Sequence, residues 1–310
     1  MGKSNRKKRD RIELEPEKAS LNIIEVDFKG ELETEAKVEI SEVEIEPQLE
    51  PGEAEALLCP DQSPSKAWRL LLKADELDAI MQRSEFGALK LVPWGSNYTF
   101  LSALCDEQTG AEYAVIYKPC RGEAPLWDFP NGTLYKREYA AYLVAEALGW
   151  HFIPPVMVRD GPHGVGTVQI FVDANESIQY YQFQEQHQHE LKRFAIFDLI
   201  TNNADRKAGH CLLGADNYIW AIDHGLCFNA VPKLRTIIWE FSGQRLPDDI
   251  RQDLLDFASD PLRVAKLRGQ LEELLDRREV EIFFRRLEQV IEAPVFPGIS
   301  SRRQIPWGMW

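Results

Sequence analysis

The residues able to do chemistry gather in two short segments of this 310-residue chain, Asn203-Ala204-Asp205-Arg206-Lys207-Ala208-Gly209-His210 and Ile219-Trp220-Ala221-Ile222-Asp223-His224-Gly225. An Asp-Arg pair in a polar loop is followed by an apolar strand that ends in Asp-X-Gly. Two carboxylates placed this way can divide the work of phosphoryl transfer, one addressing an acceptor hydroxyl and the other holding a metal on nucleotide phosphates. Asp205 and Arg206 are the catalytic candidates and Asp223 the metal ligand. The plainer reading of Asp205 is a helix-terminating turn, where Asn and Asp are common. Against it stands Asp223, because a carboxylate at the end of a buried strand is costly unless it meets a cation or hydrogen-bond donors. His210 lies five positions after Asp205. Its imidazole is softer than the oxygens magnesium prefers, so it suits manganese, orients Asp223, or simply packs.

Such a site also needs a phosphate loop, a lysine and a partner for that lysine. Gly95-Ser96-Asn97 forms a small polar turn between two apolar runs, with a glycine for close backbone approach. Lys118 closes the apolar run Glu112-Tyr113-Ala114-Val115-Ile116-Tyr117 and precedes Pro119, so its ammonium should be half-buried beside an anion. Glu138 lies on the early turns of the next helix. Each part alone has an ordinary structural reading. Together they reproduce the lobe that grips ATP, with Lys118 bridging phosphates and Glu138 fixing Lys118.

The elements expected to position these groups alternate early and become helical late. Ala67 to Met81 reads as a helix with a bend near Ala74. Leu89–Val92 and Tyr98–Leu101 read as strands around the polar turn, and Glu112–Lys118 as another. Gly132 to Leu148 is a helix opened by Thr133 as N-cap and closed by Gly149. Strands follow near Val156–Val158 and Gly166–Val172, then a helix over Glu190–Leu199. Amphipathic helices run from Asp248 to Ile291 with a break at Pro261. The predicted fold class is therefore α+β and bilobal. Residues 1–65 form a disordered basic-then-acidic tail, 66–173 an N-lobe for ATP, and 174–310 a C-lobe with the catalytic and metal loops.

Composition narrows the function classes. The chain is 44% hydrophobic with eight Trp and fifteen Phe, enough for a large core. Its net charge of −14 divides into +5 over residues 1–12, −12 over 13–56 and −7 over the rest, so the folded part is only mildly acidic. That disfavours a broad nucleic-acid-binding face. The tail is too poor in aromatic residues to offset chain entropy. Within it, Val38–Ile45 could add as a strand to a partner protein, with a solvated linker as the alternative. No apolar run reaches the ~20 residues of a membrane span, and the basic start leads into no secretory signal. Five scattered cysteines without a Cys-X-X-Cys pair suggest free thiols in a reducing cytoplasm.

The Asn203–His210 and Ile222–Gly225 runs resemble the catalytic and metal-binding loops of the phosphatidylinositol 3-/4-kinase-like superfamily, which includes HipA-type protein kinases. Gly95–Tyr98, Val115–Pro119, Leu126–Thr133 and Arg137–Tyr142 look like a bacterial family within it, known mainly from actinobacteria. The resemblance covers about residues 66–292. It implies an atypical protein-kinase-like fold, with Asp205 as catalytic aspartate, Asp223 as metal-binding aspartate, Lys118 as ATP lysine and Glu138 as its partner. Two departures stand out. Asp-Arg-His-X-X-Asn has become Asp-Arg-Lys-X-X-His, placing Lys207 and His210 where the family has histidine and asparagine, and the Asp-Phe-Gly-like element reads Asp223-His224-Gly225.

The leading expectation is an ATP- and Mg²⁺- or Mn²⁺-dependent phosphotransferase. Its hydroxyl acceptor would be a protein or small polar molecule rather than a lipid, docked along Leu226–Trp239. The alternative is a nucleotide-binding pseudokinase whose acidic tail recruits a protein partner.

Overall fold

Side chains alternate across a strand, so an antiparallel sheet offers two faces with different duties. In a computed structural model, which describes residues 74–93, 95–175 and 178–306, that alternation separates the core of the N-terminal half from its cleft. The sheet comprises β1 (Glu85–Phe86), β2 (Lys90–Leu91), β3 (Phe100–Asp106), β4 (Ala111–Pro119), β5 (Val156–Gly161) and β6 (Gly164–Ile170). Its order is β1-β3-β4-β6-β5, with β2 also paired to β3, and every pairing is antiparallel. On one face Leu104, Val115, Tyr117, Val168 and Ile170 pack against Leu77 and Met81 of helix α1 (Ala74–Arg83). The opposite face carries Leu101, Ile116, Lys118, Thr167 and Gln169, in the register Leu101↔Ile116↔Gln169 and Lys118↔Thr167.

Helix α2 (Leu134–Leu148) follows the sheet in sequence but shares the larger core. Its fully buried Ala140, Ala141 and Val144 belong to one apolar cluster with residues of α4 (Gln188–Thr201), α5 (Asp248–Ala258), α6 (Pro261–Glu272) and α7 (Arg277–Glu292). Alanines at these positions bring the helix backbones close. A short helix α3 (Tyr180–Phe183), a hairpin of β7 (Cys211–Leu213) and β8 (Ile219–Ala221), and 3-10 turns at Cys120–Gly122, Ala208–His210 and Arg302–Gln304 complete the described elements. The architecture is α+β, strand-rich first and helical afterwards.

Most expected elements form near their expected bounds. The break at Pro261 is a helix start: Asp260 accepts hydrogen bonds from the Leu262 and Arg263 amides, and proline takes the first turn, where no amide is needed. The cap of α2 differs from expectation. Thr133 Oγ1 donates to the Pro130 carbonyl, 2.7 Å away, and caps nothing. The Glu123 carboxylate instead accepts from the Leu134 and Tyr135 amides at 3.1 and 2.8 Å, placing negative charge at the positive end of the helix. Gly149 closes α2 with φ +72°, as expected. The tail (1–65), its Val38–Ile45 segment and the first half of the Ala67–Met81 helix lie outside the described residues. Cys105, Cys120, Cys211 and Cys227 are free thiols. No helix among the described residues is long and apolar enough to cross a membrane.

Candidate active site

The inner face of β4 points Ile116 and Lys118 into a cavity of about 700 Å³ roofed by the sheet and floored by the loops around Asp205 and Asp223. Gly95, Ser96, Asn97, Lys118, Glu138, Asp205, His210 and Asp223 all line it. The structure therefore gathers eight of the nine predicted site residues around one space. The exception is Arg206.

Lys118 Nζ lies 3.2 Å from Glu138 Oε2 and 3.2 Å from Asp223 Oδ1. Burial works against its charge, but the two carboxylates outweigh burial and the ammonium's pKa is raised. Burial also pushes Glu138 up, against the pull of Lys118. Asp223 is held well below the usual carboxylate range by Lys118. Its side chain is 47% exposed and opens on the cavity, so solvent screens part of that attraction. Glu138 is further fixed by the His224 amide, which donates to Oε1 at 3.1 Å. Neighbouring Arg137 is fully buried. It donates to the Cys227 carbonyl at 2.9 Å and to Glu279 at 2.8 Å, tying α2 to the loop after Asp223 and to α7.

Asp223 has φ +61°, a left-handed conformation that a non-glycine residue holds only when its surroundings enforce it. Arg206 is one source of that constraint. Both sides of the Arg206–Asp198 ion pair are completely buried, with Nη2 3.0 Å from Oδ1. Its Nη1 donates to the Ile222 carbonyl (2.9 Å) and the His210 carbonyl (3.2 Å), and Nη2 donates to His224 Nε2 at 2.7 Å. Arg206 thus holds the backbone on both sides of the site and does not reach the cavity. Because His224 Nε2 accepts from a guanidinium, the ring is neutral. Burial, reinforced by Arg206, depresses its pKa well below that of a free imidazole.

The polar run before Asp205 is equally committed. Asn202 ends α4 in a left-handed conformation (φ +54°), and its side-chain amide donates to the Asn229 and Val231 carbonyls. Asn203 donates to Asp198 Oδ1 and accepts from the Asp205 amide. Asp205 therefore enters the cavity from a loop pinned on both sides. Burial raises its pKa, and Lys207 Nζ, 2.9 Å from Oδ2, opposes that rise.

His210 makes an informative pair of contacts. Nδ1 is 2.8 Å from the Asp205 carbonyl, an acceptor only, so Nδ1 carries the proton in the neutral ring. Nε2 then turns a lone pair toward Asp223 Oδ2, 3.2 Å away. Burial lowers this histidine's pKa to about 4, so the ring is neutral at physiological pH. Two acceptors facing each other suit a cation between them. Ligands at ~2.1 Å on perpendicular axes of an octahedral cation stand about 3 Å apart. The residues present therefore fit one divalent metal held by two protein groups. No group of three or more His, Cys, Asp or Glu among the described residues could hold a metal unaided. A pair is what magnesium-type sites use when phosphates and water supply the other ligands.

In the lining of the same cavity the turn between β2 and β3 holds Gly95 at φ +114°. Asn97 Oδ1 accepts from the Ala124 amide at 2.8 Å, anchoring the turn to the segment after β4. Sequence reasoning did not single out Asp198, Glu123 or Gln169. Asp198 and Gln169 left a faint signal, since each interrupts an apolar run; Glu123 left none, because Thr133 already offers a capping side chain where α2 starts.

No family model matches the chain. Over 273 residues the chain is 35% identical to Protein Rv2133c of Mycobacterium tuberculosis H37Rv, covering 75% of this chain and 95% of that protein. The chain belongs to the Rv2133c family. Within this Rv2133c-family chain, 110 residues are 34% identical to phosphatidylinositol 4-kinase gamma 4 of Oryza sativa subsp. japonica, covering 29% of this chain and 20% of the rice protein. The crystal structure of a Helicobacter pylori proinflammatory kinase, CtkA, aligns over 70% of this chain and 94% of its own, with a TM-score of 0.45 and 13% identity.

Proposed function

We propose that this Rv2133c-family chain is an ATP-dependent phosphotransferase of the phosphatidylinositol 3-/4-kinase-like, HipA-related type, with an atypical protein-kinase-like fold whose lobes meet near residues 173–174. The observation that carries this reading is Lys118, shared between Glu138 and Asp223 at 3.2 Å each, with Asp205 and His210 across the same cavity. The similarity to the rice phosphatidylinositol 4-kinase points the same way.

In this reading Lys118 contacts phosphate oxygens of ATP under the Gly95–Asn97 turn, and Glu138 keeps it aimed. Asp223 and His210 would hold Mg²⁺ or Mn²⁺, and His210 favours the latter. Bound metal would neutralise charge on the transferring phosphoryl group. Asp205 accepts the proton of an acceptor hydroxyl as its oxygen bonds to the γ-phosphorus. The bond from that phosphorus to the bridging oxygen breaks, and ADP leaves with the electron pair. Arg206 acts as a positioning residue. The acceptor enters past Leu226–Trp239, and a protein or small polar hydroxyl compound in the cytoplasm fits better than a lipid.

One contact favours a second reading, a nucleotide-binding pseudokinase that uses its acidic tail to recruit a partner. Lys207 Nζ occupies Asp205 Oδ2 at 2.9 Å, the oxygen an acceptor hydroxyl needs. Labelling with γ-labelled ATP separates the two readings. Asp205→Ala and Asp223→Ala should each abolish transfer to protein or small-molecule acceptors in a lysate while leaving the melting curve intact. Thermal stabilisation by ATP with no transfer by the wild type would select the binding module. Unchanged labelling in both variants would end the phosphotransferase reading.

A further inference from the structure

Gln169 is polar, 5% exposed and placed on the cavity face of β6, and its Nε2 has no hydrogen-bond partner. A buried amide donor left unpaired costs free energy comparable to a lost hydrogen bond, so native proteins rarely keep one without a use for it. The flanking Val168 and Ile170 point the other way, into the core beneath α1. An apolar residue at position 169 would continue the strand at no such cost.

The register places Gln169 relative to the phosphate end. It pairs with Ile116, and Ile116 lies two residues before Lys118 on the same face of β4. Two strand residues span ~7 Å and neighbouring strands lie ~4.8 Å apart, so Gln169 sits roughly 8 Å from the position of Lys118 along the sheet. The lining of the same cavity also includes the apolar side chains of Val92, Ile116 and Ile222. An apolar slot with a single polar group at its back is how proteins seat a flat heteroaromatic ring, packing for affinity and the polar group for identity.

We infer that Gln169 is the residue that reads the adenine base. The terminal torsion of glutamine is soft, so a small rotation turns the amide toward a ring seated between Ile116 and Ile222. Adenine offers an exocyclic amine beside a ring-nitrogen acceptor. A glutamine amide matches that pair with its carbonyl and its Nε2 together. The donor the protein leaves unpaired then finds its acceptor on the ligand.

The inference rests on the nucleotide-binding reading above, and binding of three ligands by isothermal titration separates the failure of one from the failure of the other. The ligands are ATP, purine riboside triphosphate (which lacks the amine) and tripolyphosphate (which lacks base and sugar), each with Mn²⁺. Wild type should prefer ATP to purine riboside triphosphate by about tenfold. Gln169→Leu should weaken ATP about tenfold, bind the two nucleotides alike and leave tripolyphosphate unchanged. Gln169→Met, closer in length, should repeat that result and guards against a folding defect in the first variant. If Gln169→Leu and Gln169→Met bind ATP as wild type does, or lose tripolyphosphate equally, the base-reading role is overturned while nucleotide binding stands. If wild type binds none of the three, both readings fall.

Discussion

Replacing Glu138 with glutamine keeps an oxygen to accept the His224 amide but removes one of the two charges that share Lys118. At 3.2 Å and an effective dielectric of 20, buried Glu138 attracts the ammonium by about 5 kcal/mol before desolvation, and the half-exposed Asp223 attracts it less because solvent screens it. Burial disfavours charge on Glu138, so neutralising it recovers most of what its ion pair contributed, and the fold should change in stability by no more than about 1 kcal/mol. Lys118→Met is different because it strands a buried carboxylate, which costs about 3–5 kcal/mol. The functional consequence runs the other way. With Glu138 neutral, Lys118 rests wholly on Asp223, the group proposed to hold metal. If about 2 kcal/mol of the solvent-screened Lys118–Asp223 attraction must be surrendered when Asp223 takes the cation, ATP–metal affinity falls about 30-fold. Urea midpoints and calorimetric ATP titrations on wild type, Glu138→Gln, Lys118→Met and the double variant measure both quantities. The double variant should recover most of the stability lost in Lys118→Met. Glu138→Gln binding ATP and metal as wild type does, or unfolding as readily as Lys118→Met, would refute the account of Lys118 as a shared cation.

Two further outcomes follow from the buried groups. Arg206→Met breaks a fully buried ion pair and releases the His210, Ile222 and His224 contacts, so urea denaturation should show a loss of about 3–5 kcal/mol, whereas a surface arginine would cost almost nothing. His210 titrates near 4 when folded and near 6.5 when unfolded; between those values the unfolded chain takes up the proton and the folded chain does not, so stability is fully present above about pH 6.5 and falls as pH drops. In chelator, wild type should therefore lose up to about 3 kcal/mol more than His210→Asn between pH 7 and pH 4, and equal slopes for the two proteins would contradict a neutral, buried His210.

Part of this site is legible in residue order alone. Apolar alternation over 112–118 makes a strand, and alternation fixes that Lys118 and Ile116 share a face. A glycine at 149 ends a helix because only glycine adopts φ +72° without strain. Asp223 stands out as a carboxylate where strand chemistry does not ask for one, and it lifts Asp205 above the ordinary helix-terminating turn. These are local consequences of backbone geometry and need no knowledge of distant neighbours. Arg206 shows where that legibility stops. Beside Asp205 it reads as part of the catalytic pair, yet eight residues upstream Asp198 lies on the buried face of α4 and draws the guanidinium into the core. The start of α2 shows a related limit: Thr133 is the N-cap residue, as its type and place suggest, but its hydroxyl turns to Pro130, and Glu123 arrives from a loop to supply charge as well as acceptors.

What the sequence by itself determined is the inventory and its order: a glycine turn, a strand lysine, a helix glutamate and two loop carboxylates, on α+β elements. Only the tertiary structure decided which of them meet. Lys118 finds Glu138 twenty residues away and Asp223 a hundred and five residues away, in a setting where Arg137 ties α2 to α7 and to the loop after Asp223, and Arg206 ties the backbone before Asp223 to α4. The physical reason is that residue type sets what a side chain can do, whereas its charge state and partners follow from burial. Burial is a property of the packed chain: it neutralises His210 and strands the Gln169 amide, while the two carboxylates that packing brings to Lys118 overcome burial and keep it a shared cation.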